Sequence, residues 1–226
     1  MGHTDVVPVN EDGWSREPFS GDVIDGFVWG RGAVDMLNLT ASMLVAFRRL
    51  ADSGFRPKGT LSYLAVADEE ASGTYGAEWL LDHEHDAVRT ENVITESGGF
   101  QMGSRGGIRL PVMVEEKGAM WSKLAVQGTP GHGSQPFRTD NAVVKAARIV
   151  ERIGAYRPPA RVSETWRRFV EGMQLPTELA DPTKLDAVID GLPIGASRLF
   201  HSCTHNTMSP NVAHGGTKVN MIPDRA

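Results

Sequence analysis

The chain has 226 residues, of which 40% are hydrophobic and 23% charged, and its net charge is −5. This length suits one large domain or two small ones. The interspersed charges give no reason to expect a nucleic-acid or membrane partner, and no apolar run approaches the length of a membrane span. The single cysteine, Cys203, excludes an internal disulfide framework and is typical of a cytoplasmic protein, the location we expect.

The first half of the chain alternates predicted strands with predicted helices. The end of a strand is predicted at Met1 to Val7, and a short strand is predicted at Val93 to Thr95. Apolar residues with helical period mark Asp35 to Ala51 and Tyr75 to His85, and a continuous apolar run at Leu61 to Ala67 indicates a strand buried on both faces. This order predicts an α/β fold in which helices cover a mostly parallel sheet.

The pattern changes after Gly106, where two segments show the apolar alternation of half-exposed antiparallel strands. We therefore expect two domains, residues 1–113 and residues 114–226, the second of them α+β. The elements predicted in this half are strands at Ile108 to Val114, Met120 to Val126, Ser197 to Cys203 and Thr217 to Ile222, and helices at Asn141 to Ile153 and within Val162 to Asp190.

The predicted buried strand ends abruptly in three carboxylates, Asp68, Glu69 and Glu70. In an open α/β sheet the chemistry lies at the carboxyl ends of the strands. Successive strand residues point to opposite faces, so Glu69 and Glu70 cannot have the same role. One can hold a metal while the other transfers protons beside it. Taken alone, such a triplet is more often a solvated acidic turn.

Four other residues are candidates for the same edge of the sheet. His3 and Asp5 share one face of a strand, and a carboxylate can orient the imidazole of a metal ligand in this way. Alone, however, this spacing rarely marks a metal site. Asp35 by itself is typical of a helix N-terminus, and Glu96 of a turn.

The combination is more informative than its members. Three predicted strands end in His3, Glu69-Glu70 and Glu96, and Asp35 follows the first of them. Carboxylates gathered at one edge repel each other unless a cation neutralises them. Imidazole and carboxylate ligands suit zinc, and the number of acids predicts two ions. A serine or cysteine nucleophile finds no support, because the sequence has no nucleophile elbow.

The chain resembles the di-zinc aminoacylase/carboxypeptidase family, which includes acetylornithine deacetylase, succinyl-diaminopimelate desuccinylase, aminoacylase and glutamate carboxypeptidase. Six motifs occur in the order and spacing of that family, and they extend over the whole chain. They are His3-Thr4-Asp5-Val6-Val7-Pro8, Gly30-Arg31-Gly32-Ala33-Val34-Asp35-Met36, Asp68-Glu69-Glu70, Thr95-Glu96-Ser97, Gly131-His132-Gly133-Ser134 and Gly215-Gly216-Thr217-Lys218-Val219-Asn220-Met221-Ile222-Pro223.

The resemblance implies a site for two zinc ions, with cobalt or manganese as alternatives. His3 and Glu96 resemble ligands of one zinc, and Glu70 resembles a ligand of the other. Asp35 resembles the carboxylate that bridges both ions. Family members often have a cis peptide bond after this aspartate, so the resemblance implies one between Asp35 and Met36.

The resemblance also implies the catalytic roles. Glu69 resembles the general base, which takes a proton from the metal-activated water and passes it to the leaving amine. Asp5 resembles the partner that orients His3. His132 resembles a histidine that stabilises the oxyanion in the other subunit's active site, and Asn220 resembles an asparagine that contacts the substrate. The implied enzyme is a homodimer that cleaves an amide bond of an N-acyl amino acid or small peptide.

The sequence departs from the family pattern at its two ends, where strands before His3 and the last zinc-ligand histidine are expected but not found. We therefore expect a partial catalytic domain at residues 1–113 and a partial lid or dimerisation domain at residues 114–226. Two alternatives remain. One is a truncated, catalytically incomplete chain that at most dimerises or binds metal. The other is a different di-metal hydrolase, such as an aminopeptidase, which would require a free substrate amine.

Overall fold

The computed structural model describes residues 1–97, 100–104 and 106–226. The chain divides into two compact units, Met1–Gly98 and Gly99–Ala226. Within the described residues there are seven α-helices and four two-stranded sheets, so the mixed α/β class is confirmed. The boundary between functional domains at residues 113 and 114, and the assignment of the second domain as a lid, stay predictions.

The first unit is built around a parallel pair of short strands, β1 (Gly2–His3) and β4 (Ala65–Val66). The pairing matches Gly2 with Ala65 and His3 with Val66. Because the pair is parallel, the residues that follow both strands lie at the same end. The other strands of this unit are β2 (Val23–Ile24) and β3 (Phe27–Val28), which form an antiparallel hairpin.

Helix α1 (Leu37–Asp52) packs directly on β1. Its bounds are close to those of the helix predicted at Asp35 to Ala51. The buried Thr40 hydroxyl donates to the carbonyl of His3 at 2.9 Å, which ties the helix to the strand. A Cβ atom at Gly2 would lie 2.5 Å from Thr40 Oγ1, so this close approach requires glycine. The helix thereby fixes the backbone of His3.

The remaining helices of the first unit are α2 (Ala77–His83) and α3 (His85–Val88). They occupy most of the span from Tyr75 to His85 that was predicted as one helix, with a break at Glu84. A 3₁₀ turn, Glu69–Ala71, follows β4.

Two strand predictions in the first unit are wrong. Of the predicted strand from Leu61 to Ala67, only Ala65–Val66 is paired and only Val66 is buried, because the partner β1 is itself two residues long. Residues 93–95, all of them described, lie outside any strand, and Ile94 is exposed. In the described part of the chain, parallel pairing is therefore confined to β1 and β4.

The second unit contains two antiparallel pairs. Strands β5 (Met102–Ser104) and β6 (Gly107–Arg109) form one of them. Strands β7 (Gly131–His132) and β8 (Met221–Ile222) form the other, in which His132 lies opposite Met221. An isolated bridge between Gln127 and Arg225 extends this second pair.

The helices of the second unit are α4 (Ala142–Ala155), α5 (Glu164–Gly172), α6 (Leu185–Asp190) and α7 (Ile194–Thr204), with a 3₁₀ turn at Thr177–Ala180. The predicted helix at Asn141 to Ile153 is confirmed as α4. The side chain of Asn141 caps it by accepting hydrogen bonds from the backbone N–H groups of Val143 and Val144.

Helices α5, α6 and α7 enclose an apolar core. Trp166 packs against Phe200 with ring centroids 5.2 Å apart, and its indole N–H donates to the carbonyl of Leu179 at 2.7 Å. Burying each large apolar side chain stabilises the fold by about 1.5–3 kcal/mol. The buried members of this core are Trp166, Val170, Leu179, Leu185, Ile189 and Phe200.

All four strand predictions in the second unit need correction. Ser197 to Cys203 was predicted as a strand but lies within α7, where Phe200 and Thr204, one helical turn apart, are both buried. A short apolar run does not distinguish a strand from a helix face. Met120 to Val126 lies outside any strand, although all of it is described. Strands were predicted at Ile108 to Val114 and at Thr217 to Ile222, but only Gly107–Arg109 and Met221–Ile222 form strands there.

Among the described residues, every helix is too short or too polar to cross a lipid bilayer.

Candidate metal centre

The buried imidazole of His3 lies at the centre of a group of carboxylates. Its Nδ1 lies 2.9 Å from the backbone carbonyl oxygen of Asp5, so in the neutral ring Nδ1 carries the proton and Nε2 keeps a lone pair. Nε2 lies 3.2 Å from Asp35 Oδ1, 3.7 Å from Glu69 Oε2 and 3.9 Å from Glu96 Oε2. Only 1% of the His3 side chain is exposed, whereas the three acids reach solvent.

The backbone brings these groups together at the carboxyl end of the β1–β4 pair. His3 ends β1, and Glu69 begins the 3₁₀ turn after β4. Asp35 lies just before α1, the helix that packs on β1. The peptide bond between Asp35 and Met36 is cis, as the family resemblance implied. Separate segments of the chain thus deliver ligand-type side chains to one place.

The donor set of this group fits a zinc ion. Single ligand atoms from His3, Asp35 and Glu96 all lie within 4.8 Å of one another. Zinc binds nitrogen and oxygen ligands at about 2.0–2.2 Å, so ligand atoms around a tetrahedral ion are about 3.3–3.6 Å apart. The distance of 3.2 Å between His3 and Asp35 is already close to this value. One imidazole with two carboxylates is also a chemistry that suits zinc.

Burial and repulsion between neighbouring carboxylates affect the pKa values of Glu96 and His3. Burial, followed by the charges of Asp35 and Glu69, raises the pKa of Glu96 above its ordinary value. Burial alone would lower the pKa of His3. The hydrogen bonds to Asp5 and Asp35 and the nearby carboxylate charges outweigh burial and raise that pKa. A bound cation would relieve this repulsion.

Glu70 lies near the group without joining it. Among the described residues, the three-residue set of metal-ligand type does not include Glu70. Burial and the charges of Asp35 and Glu69 nevertheless raise the pKa of the Glu70 carboxyl group, so it lies within electrostatic range of both. The charge of Asp35 thus acts on the carboxyl groups of both Glu96 and Glu70.

Asp5 makes different contacts from those that the His-x-Asp pattern predicts. Its backbone carbonyl, rather than its carboxylate, accepts the hydrogen bond from the His3 ring, and Asp5 Oδ1 lies 3.6 Å from Nδ1. The two carboxylate oxygens accept backbone hydrogen bonds from Glu69 at 3.1 Å and from Glu70 at 3.0 Å. Burial would raise the pKa of Asp5, but these two hydrogen bonds lower it.

The two remaining candidates, His132 and Asn220, lie side by side in the second unit. The backbone N–H of Gly133 donates to the Asn220 carbonyl at 2.8 Å, beside the pairing of β7 with β8. The Nδ1 atom of the exposed His132 accepts a hydrogen bond from the Ser134 backbone N–H at 3.2 Å and lies 2.7 Å from the Ser134 hydroxyl. Apart from its position in the Gly-rich turn, no sequence feature distinguished Ser134.

Comparison with known proteins identifies relatives over most of the chain. The family model described as peptidase family M20/M25/M40 matches residues 1–187. Succinyl-diaminopimelate desuccinylase of Parvibaculum lavamentivorans is 36% identical over 156 residues, which cover 69% of this chain and 38% of the relative. Aminoacylase-1 of Sus scrofa is 35% identical over 162 residues, which cover 69% of this chain and 37% of the relative.

A further relative aligns with the whole chain. N-fatty-acyl-amino acid synthase/hydrolase PM20D1.1 of Danio rerio is 28% identical over 247 aligned residues, which cover 100% of this chain and 46% of the relative. The chain thus spans less than half the length of each of these three curated relatives.

Proposed function

Because the chain belongs to peptidase family M20/M25/M40, we propose that it is a metal-dependent hydrolase that cleaves an amide bond of an N-acyl amino acid or small peptide. The observation that carries this proposal is the buried His3 imidazole, whose Nε2 atom faces the carboxylates of Asp35, Glu69 and Glu96 within 3.9 Å. Imidazole and carboxylate groups are among the ligands that hydrolytic metal sites use.

Two zinc ions are proposed, with cobalt or manganese as alternatives. His3 and Glu96 would hold one ion, Glu70 the other, and Asp35 would bridge them. The raised pKa values of Glu70 and Glu96, which come from burial and from the charge of Asp35, support this shared arrangement. Zinc in such a site acts as a Lewis acid toward a carbonyl and lowers the pKa of water.

Glu69 is proposed as the general base. Its carboxylate lies 3.7 Å from His3 Nε2 and is 46% exposed, so it borders the metal ligands while remaining accessible to water. A carboxylate in this position can remove a proton from the attacking water and deliver it to the leaving amine. Glu69 and Glu70 are successive residues of the same 3₁₀ turn. We assign proton transfer to Glu69 and metal binding to Glu70.

His132 is proposed to stabilise the oxyanion, and Asn220 to contact the substrate. Since the Nδ1 atom of His132 accepts the Ser134 N–H, the neutral ring has its proton on Nε2. That N–H group can donate to a developing negative charge. In the proposed enzyme His132 serves a second copy of the chain, which makes the protein a homodimer. A cytoplasmic location stays a prediction.

The proposed substrate class follows from what the relatives share. Their names describe a desuccinylase, an aminoacylase and a synthase/hydrolase of N-fatty-acyl amino acids. Each of these activities concerns an acyl group and an amino acid. An N-acyl amino acid is therefore the first substrate class to test.

The test is hydrolysis of a panel of N-acyl amino acids by the zinc-supplemented chain, compared with Glu69→Gln. General acid–base catalysis contributes about 10²–10⁴-fold, so the variant should lose that factor in kcat while still binding zinc. Glu78→Gln, an exposed acid on α2, is the matched control and should retain activity.

Substantial turnover by Glu69→Gln would contradict the role of Glu69. Zinc binding without turnover by the unmodified chain would favour the alternative of a metal-binding or dimerising chain. Hydrolysis only of substrates with a free amine would favour an aminopeptidase.

A further inference from the structure

The carboxylate of Asp5 has both of its oxygens directed at the segment that holds Glu69 and Glu70. Oδ1 accepts the backbone N–H of Glu69 at 3.1 Å, and Oδ2 accepts the backbone N–H of Glu70 at 3.0 Å. These are two charge-assisted hydrogen bonds, a class roughly twice as strong as bonds between neutral groups. They join residues 64 and 65 positions apart in the sequence.

The turn that receives these bonds has an unusual backbone. Asp68, directly before Glu69, has a left-handed conformation with φ of 67°, which is uncommon for a residue other than glycine. No side chain of Asp68 caps the turn that begins at Glu69. The Asp5 carboxylate therefore supplies acceptors to the first two N–H groups of this turn.

The orientation of His3 does not depend on that carboxylate. The ring Nδ1–H donates to the backbone carbonyl oxygen of Asp5 at 2.9 Å, and any residue at position 5 has this oxygen. The Asp5 Oδ1 atom is 3.6 Å from Nδ1, which is too long for a hydrogen bond. One residue thus holds the ring through its main chain and the 3₁₀ turn through its side chain.

We propose that Asp5 is a positioning residue for Glu69 and Glu70, and that its carboxylate fixes their backbone while its carbonyl oxygen alone orients His3. The catalytic consequence rests on the proposed function. The two hydrogen bonds from the Glu69 and Glu70 N–H groups to the Asp5 carboxylate, here called the clamp, would hold the proposed base and the second metal ligand close to His3 at the end of β1. The structural part of the proposal does not require turnover.

The experiment is NMR of the full chain, without metal, at a pH where His3 is neutral. The variants are Asp5→Asn and Asp5→Ala, with Thr4→Val as control. Asn keeps one acceptor oxygen and Ala keeps none. The Thr4 hydroxyl donates to the Val66 carbonyl at the same strand end and does not touch the turn.

The expected result is graded. Asp5→Asn should shift one of the Glu69 and Glu70 amide protons upfield, and Asp5→Ala should shift both, with at least about tenfold faster hydrogen exchange where it is measurable. Thr4→Val should leave both amides in place. Long-range ¹H–¹⁵N spectra should show His3 with its proton on Nδ1 in every variant.

The proposal is overturned if both amides are unchanged in Asp5→Ala, or if His3 loses its single tautomer there. Should the Ala variant fail to fold, the unmodified chain still gives a decision. A scalar correlation across the hydrogen bonds from the Glu69 and Glu70 amides to Asp5 Cγ supports the clamp, and its absence in a spectrum that shows other such bonds overturns it. A chain with the clamp but no hydrolysis would refute the proposed function alone.

Discussion

The imidazole Nε2 of His3 lies 3.2 Å from Oδ1 of Asp35, a residue 32 positions later in the chain. This contact joins the end of β1 to the start of α1 and defines one side of the candidate metal centre. The buried ring cannot turn away from the acid, because its other nitrogen donates to the Asp5 carbonyl. The orientation of the His3 ring edge that faces Asp35 is therefore fixed by the protein's own contacts.

The contact between Ser134 and His132 predicts a single tautomer for the exposed histidine. The backbone N–H of Ser134 points at Nδ1 of His132, which excludes a proton on that nitrogen in the neutral ring. Long-range ¹H–¹⁵N spectra should show the proton on Nε2, also in Ser134→Ala, because the backbone donor remains. The exposed His214 serves as the reference histidine in the same spectra. A neutral His132 with its proton on Nδ1 would contradict the proposed donor role.

The helical core of the second unit predicts a large difference between two leucine variants. Leu185 is 0% exposed inside the core of α5, α6 and α7, so Leu185→Ala should lower the free energy of unfolding by about 2–5 kcal/mol. Leu199 on α7 is 46% exposed, and Leu199→Ala should cost no more than about 0.5 kcal/mol. Urea unfolding measures both values. Equal effects of the two variants would show that this core is not packed as described.

The stacked pair His201 and His205 predicts that acid weakens the second unit. The ring centroids are 4.2 Å apart, and burial together with the neighbouring His205 lowers the pKa of His201 below its ordinary value. The charge of Asp186, which lies 3.0 Å from His205 Nε2, partly opposes this shift.

The sign of the pH dependence follows from the lowered pKa. When the folded pKa is lower than the unfolded one, the unfolded chain binds protons more readily. The contribution of His201 is then fully present above the unfolded pKa of about 6.5 and is lost as pH falls through the folded pKa. The change in the urea midpoint between neutral and acidic pH should be smaller in His201→Gln than in the unmodified chain. His214→Gln, at an exposed site, should not change it. An equal or larger change in His201→Gln would contradict this account.

The position of the candidate metal centre could be predicted, because its residues follow segments that were predicted as strands. His3, Glu69 and Glu96 were selected as residues that end strands, and in the structure the carboxylates of Glu69 and Glu96 lie within 3.9 Å of the His3 Nε2 atom. Glu96 lies in this cluster even though residues 93–95 form no strand. Glu96 therefore reaches this position without the strand that was predicted for Val93 to Thr95.

Other features could not be predicted from the sequence. The alternation of strand residues places His3 and Asp5 on one face, but it does not say whether the ring bonds to the carboxylate or to the main-chain carbonyl. The segment from Ser197 to Cys203 was assigned to a strand because seven residues are too few to show helical period. Its helical state depends on Phe200 packing against Trp166, which is a tertiary contact.

The family could be recognised from motifs, and the family match confirms it. Residue roles are a different matter, because a motif fixes the residue type without fixing its contacts. Asp5 illustrates this point: the motif is present, but its carboxylate binds the backbone of Glu69 and Glu70.

The most direct measurement is the zinc content of the chain, purified without chelator, beside that of His3→Gln. His83→Gln, which removes an exposed histidine of α2 in the same unit, is the control. We expect at least one zinc ion per chain in the unmodified protein and in His83→Gln, and two ions per chain if Glu70 also holds one. The zinc affinity of His3→Gln should be lower by more than about 100-fold. Mutation of a residue that only orients a metal ligand already costs about 10–100-fold, and loss of a ligand should cost more. An unmodified chain without zinc, or equal zinc content in His3→Gln, would contradict the claim that this cluster is a metal centre.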